Sequence, residues 1–149
     1  SHHTWLTFRM GEFYLNYAEA VFKYLGSADA TSAEFPMSAR EAASMTRERA
    51  GMPAFEAGID ATTFWTKLCN ERFVELAFEG HRFWDVRRWK EADKYFKNIV
   101  EMKLTKEADG TITYTRKNVT RQWNDKMYLF PIPQAELLKN SNLTQNAGW

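Results

Sequence analysis

The sequence predicts a mainly α-helical fold with irregular connections and one minor β-hairpin. Three observations carry that reading. Apolar residues recur three and four apart over long stretches, Gly and Pro fall where those stretches end, and one Asp-Gly dipeptide sits between runs of β-formers. From Leu6 to Leu25 the positions Leu6, Met10, Phe13, Tyr14, Tyr17, Ala18, Val21 and Leu25 form a helical stripe, and Gly26 follows as a left-handed cap. Ser27 to Met37, rich in Ser, Ala and Thr with Pro36 near its end, reads as a loop. Ser38 and Glu41 have the capping-box spacing, so a second helix starts there, with Ala39, Ala42, Ala43, Thr46 and Ala50 as a face of small residues. Gly51 and Pro53 stop it, and the two helices are expected to pack as a close antiparallel hairpin.

Asp60 is placed to cap a third helix running to about Glu79, with Phe64, Leu68, Phe73 and Leu76 among its apolar positions and Gly80 at its end. A shorter helix from His81 to about Phe96 follows. Residues 104 to 116 alternate β-formers around Asp109-Gly110, whose left-handed backbone suits a tight hairpin turn. Leu129 to Pro133 must be extended, because a residue before proline is pushed out of the helical region. A short helix from Pro133 to Lys139 and an irregular tail complete the chain.

At 149 residues the chain is one domain or part of a larger one. Its apolar share of 44% and charged share of 26% exclude a disordered chain, and a net charge of +1 gives no general attraction to nucleic acid. Cys69 is the one cysteine, so no internal disulfide forms, and no clustered Cys or His offers the spacing of a metal site. No apolar run is long enough to span a membrane. Ser1-His2-His3 has the look of a purification-tag remnant and is kept out of the site argument.

The most unusual stretch is Asn70 to Trp89, NERFVELAFEGHRFWDVRRW. Glu71, Glu75 and Glu79 are four apart on one helix face, and Arg72, Arg82, Asp85 and Arg88 add balancing charges among large aromatics. A structural ion-pair network among these seven residues is the preferred reading over a carboxylate metal site or an acid/base pair, because the Glu-x-x-His pairs of a di-iron bundle are missing. His81 has no nucleophile motif beside it and reads as packing. Cys69, near Leu68, reads as a small buried hydrophobe.

That block, together with RMGEFYLNYAEA, REAASMTRERAG and the ending YLFPIPQAELLKNSNLTQNAGW, resembles the C-terminal part of SusD/RagB family proteins. The blocks stand in the family's order, and residues 101 to 122 match least. Ser141 and Ala147 occupy positions where the family usually has prolines, and Trp149 replaces its usual Tyr. The resemblance implies a tetratricopeptide-like helical hairpin over 1–53, a helical core block over 60–96, a variable hairpin segment over 101–128 and a terminal motif over 129–149. One such hairpin is too few to bury its own faces. The chain is therefore expected to be a single unit forming the C-terminal fragment of a larger protein.

The same resemblance implies a non-catalytic, surface-exposed lipoprotein of the outer membrane, which holds oligosaccharides for a SusC-like TonB-dependent transporter. It needs no cofactor, and its lipid anchor would lie upstream of this chain. Sugar binding uses aromatic faces for the C–H side of the ring. Trp65, Trp84, Trp89 and Trp149 lie in apolar or motif positions and are assigned to packing. Tyr114 and Trp123, flanking the least matched segment beside Arg116, Asn118 and Arg121, are the glycan-binding candidates. The near-zero net charge favours a neutral or weakly charged ligand. A purely structural or partner-docking domain is the alternative, and a glycoside hydrolase, which needs two carboxyl groups across an open cleft, is a distant third.

Overall fold

The structure, a computed structural model, describes residues 7–149, and Leu6 of the first expected stripe lies outside them. The chain divides into two compact units, one ending at Arg82 and one running Phe83–Trp149. The fold is mainly helical, with a single two-stranded antiparallel sheet among the described residues.

In the first unit α1 spans Met10–Leu25, α2 Ala39–Arg49 and α3 Ala61–Glu75. Gly26 closes α1 at φ 73°, in the left-handed region that glycine enters without strain. Ser38 caps α2 with the full reciprocal box: its hydroxyl accepts from the Glu41 amide at 3.2 Å, and the Glu41 carboxylate accepts from the Ser38 amide at 2.8 Å. Asp60 caps α3 by accepting from the Thr63 amide at 2.9 Å. The core gathers Leu15, Ala18, Val21 and Phe22 of α1, Ala39, Ala42 and Ala43 of α2, and Phe64 and Leu68 of α3, with Phe55 and Leu76. Alanines on α2 let its backbone approach α1, which is why that small-residue face is buried.

The buried stripe of α1 is rotated from the one read in the sequence. Leu15 and Phe22 lead it, whereas Met10 and Phe13 are exposed, and Phe73 of α3 is exposed too. The third helix stops at Glu75 with Leu76 as its cap, four residues short of the expected end. Cys69 is buried beside Leu68, and Trp65 stacks on Phe22 with ring centres 6.0 Å apart.

The expected helix from His81 to Phe96 is two helices, α4 at His81–Arg88 and α5 at Ala92–Phe96. Lys90 between them sits at φ 60°, so the break is a backbone reversal with neither Gly nor Pro to announce it. The second unit continues with β1 at Asn98–Lys106 and β2 at Ile112–Thr120, paired in register from Asn98 with Thr120 to Lys106 with Ile112. The hairpin is longer than 104–116, and its turn is the expected one: Gly110 has φ 87°, and the Asp109 carboxylate accepts from the Thr111 amide at 2.9 Å. That bond holds the Asp109 carboxyl below the usual carboxylate range.

A short 3-10 helix, Asp125–Tyr128, precedes the extended Leu129–Pro133 stretch, and α6 covers Gln134–Lys139. In the tail, the Gln145 side chain accepts from the Ile132 amide at 2.8 Å and donates to the Ile132 carbonyl at 2.9 Å. Trp149 donates its indole N–H to the carbonyls of Lys126 and Leu129, at 3.0 and 3.1 Å.

Candidate functional site

The sequence predicts that the charged block pairs within itself; Asp85 and Arg88 do, whereas Glu71, Glu75 and Glu79 take their cations from outside the block. Glu71, 8% exposed on α3, accepts from Thr46 Oγ1 and from Arg47 Nη1, each at 3.0 Å. Glu75 accepts from Arg9 Nη1 at 2.5 Å and from Arg49 Nη2 at 3.0 Å. Glu79 accepts from Arg9 Nε at 2.9 Å, and that charged bond holds its carboxyl below the usual range. Arg9 is the N-cap of α1, and Arg47 and Arg49 lie in the last turn of α2, so the cations come from the start of one helix and the end of the next. Arg72 donates to Asn16 Oδ1 at 2.7 Å and lies 3.7 Å from Glu19. Arg82 rests over the Phe73 ring at 4.8 Å.

Gly11 leaves room for one of these contacts. A Cβ added there would lie 2.7 Å from Arg9 Nη1 and 2.8 Å from Glu75 Oε1, so a side chain at this position would push the ends of those two side chains aside. His81 Nε2 lies 3.8 Å from Glu12 Oε2, with no nucleophile motif beside it in the sequence. No group of three His, Cys, Asp or Glu is placed to hold a metal ion among the described residues.

The rest of the block belongs to the second unit. Asp85 accepts from Arg88 Nη2 at 2.7 Å. Arg87 is held differently. Its guanidinium carbon lies 3.6 Å from the centre of the Phe83 ring, 5.3 Å from Phe96, 5.5 Å from Trp123 and 5.7 Å from Phe130. It makes no ion pair among the described residues, and burial alone lowers its affinity for the proton. Its Nε and the Trp123 Nε1 are buried without a hydrogen-bond partner among the described residues. Trp123 also packs on Tyr128 and Phe96, with ring centres 5.1 and 6.0 Å away. Trp84 is exposed and meets Phe83 edge-on.

Tyr114 stands on β2 opposite Leu104, with 65% of its surface open. Six strand residues, about 20 Å, separate it from the Thr120 end of the hairpin, beyond which Trp123 lies, so the two aromatics do not form one platform. In the first unit an open groove of about 470 Å³ is lined by Arg47, Phe55, Glu56, Lys67 and Asn70. Arg47 is already engaged there, donating Nε to the Pro53 carbonyl at 2.7 Å.

A sequence profile of the SusD family matches residues 1–149. Among solved structures, a SusD-like protein of Bacteroides fragilis, BF3747, is similar at 34% identity with a TM-score of 0.75, over 93% of this chain and 24% of that one. A second structure, named BT4246, is similar at 31% identity with a TM-score of 0.71, over 97% of this chain and 24% of its own. None of the curated proteins compared with the chain matches it. The chain spans about a quarter of the length of the solved structures it matches. A full-length profile match, together with two structural neighbours above 30% identity that share the helical arrangement, means that the chain belongs to the SusD family.

Proposed function

We propose that this chain is the C-terminal section of a longer SusD-like protein that binds oligosaccharides at the outer-membrane surface, hands them to a SusC-like TonB-dependent transporter, and performs no chemistry. The observation that carries this reading is the family match over residues 1–149. The engagement of the carboxylates supports its non-catalytic half. Glu71, Glu75 and Glu79, the groups a hydrolase would need free across a cleft, accept hydrogen bonds from Arg47, Arg49 and Arg9. Of the two aromatics singled out in the sequence, Tyr114 offers an open ring and Trp123 is packed among Phe96, Tyr128 and Arg87.

A single stacking platform is a weak site, since the sugar still loses translational and rotational freedom. The longer protein is therefore expected to bind glycans more tightly than these 149 residues alone. Calorimetric titration of both with a glycan panel, followed by an assay for reducing ends, tests the reading. Release of reducing ends overturns the non-catalytic half. Equal affinity of the two proteins shows that the whole site lies within this chain.

A further inference from the structure

Strand alternation divides the hairpin into two faces, one with cations and no acid and one on which Glu101 stands with Lys103 and Lys117. Residues directly opposite in an antiparallel pair share a face, and alternate residues along each strand share it too. One face therefore holds Val100, Met102, Leu104 and Lys106 of β1 with Ile112, Tyr114, Arg116 and Asn118 of β2. Its charged members are Lys106 and Arg116, both cations, and neither makes an ion pair among the described residues. The acidic side chains of the hairpin are placed elsewhere. Glu101 falls on the opposite face, Glu107 accepts from Thr113 Oγ1 of that opposite face at 3.0 Å, and Asp109 is bonded to the turn amide of Thr111.

At the middle of the cationic face, Tyr114 and Leu104 are paired and are 65% and 59% exposed. The Arg116 rung lies next to them on one side and the Lys106 rung on the other. We propose that this face is a glycan subsite for acidic oligosaccharides, in which Tyr114 and Leu104 support the C–H side of a sugar while Arg116 and Lys106 take carboxylates or sulfates on its neighbours. The proposal rests on the glycan-binding reading above and names its ligand class. It departs from the neutral ligand that the overall charge suggested, because net charge averages over faces that a ligand meets one at a time. Four strand residues separate the two cationic rungs, about 13 Å, so one monosaccharide acid cannot engage both.

The test uses the natural full-length product of the gene that encodes this chain, titrated with trigalacturonate, a chondroitin sulfate tetrasaccharide, galacturonate and maltotriose. At least one acidic oligosaccharide is expected to bind more tightly than galacturonate or maltotriose and to weaken as salt rises, as exposed charge pairs do. Arg116→Gln and Lys106→Gln should each weaken that acidic ligand about five-fold, the size of an exposed ion pair, and leave maltotriose unchanged. Arg116→Lys should restore much of the loss, and Tyr114→Ala should weaken every bound oligosaccharide. Acidic binding that is indifferent to Arg116→Gln and Lys106→Gln overturns the proposal, as does binding of maltotriose alone, which leaves the glycan reading standing. No binding of any probe sinks the glycan reading and this subsite with it.

Discussion

Two halves of one 20-residue block solve the same problem in different ways. In the first unit, Arg9, Arg47 and Arg49 meet Glu71, Glu75 and Glu79, so charge is cancelled by charge and each contact is directional. In the second unit, Arg87 meets four aromatic rings and no carboxylate, so its charge is balanced by ring quadrupoles that are less exacting about angle. A buried carboxylate cannot lose its cation without leaving a bare charge. A guanidinium among rings loses only a modest attraction when it is replaced. The two units should therefore respond differently to the same kind of mutation and to acid.

The largest expected effect is in the first unit. Arg47→Met leaves the buried Glu71 carboxylate with Thr46 as its remaining bonded partner here, and urea denaturation should show a loss of about 3 kcal/mol. A loss below about 0.5 kcal/mol would make this a solvated face and erase the contrast. The matching change in the second unit, Arg87→Met, should move stability by no more than about 1 kcal/mol in either direction. It removes a cation–π attraction of about 1–2 kcal/mol but also a buried donor that has no acceptor. If it costs as much as Arg47→Met, the rings are not interchangeable with apolar packing and the comparison fails.

The smallest effect is in pH dependence. The Glu79 carboxyl is held below its ordinary value of 4.5 by Arg9, so between the two values the unfolded chain binds more protons. Its contribution is present in full above about pH 4.5 and is lost as pH falls through the folded value. Because the group is partly open to solvent, that contribution should be at most about 0.5 kcal/mol. Thermal melts from pH 6 to pH 3 should show wild type and Glu79→Gln converging as acid is added, and a constant gap would sink the assignment. Arg87 keeps its proton throughout this range, so Arg87→Met should leave the slope unchanged.

Signals that act over three or four residues were legible in the sequence. The Ser38 and Glu41 box, the Gly26 cap and the Asp109-Gly110 turn all do their work locally, and each is found where its spacing puts it. What depended on distant partners was not legible. Arg9 and Glu79 are 70 positions apart and Arg47 and Glu71 are 24 apart, and no local pattern links them. The reversal at Lys90 was missed because no Gly or Pro marks it, and the exposure of Met10 and Phe13 because an apolar stripe shows period but not which edge meets the core. Tyr114 was singled out for its position beside polar residues. The acid-free setting around it became visible only when the register showed Lys106 and Arg116 on its face and Glu101 on the other.

The Gln145 side chain lies against Ile132 as a neighbouring strand would, taking its N–H and giving to its C=O, in a stretch where Pro131 and Pro133 have no N–H to offer. One carboxamide thus stands in for a peptide group. Slow deamidation of Gln145 would turn the donor that faces the Ile132 carbonyl into a second acceptor, setting two oxygens against each other. The covalent lesion would be one mass unit, and its physical result would be the loss of one clasp while the bonds from Trp149 to Lys126 and Leu129 still hold the tail.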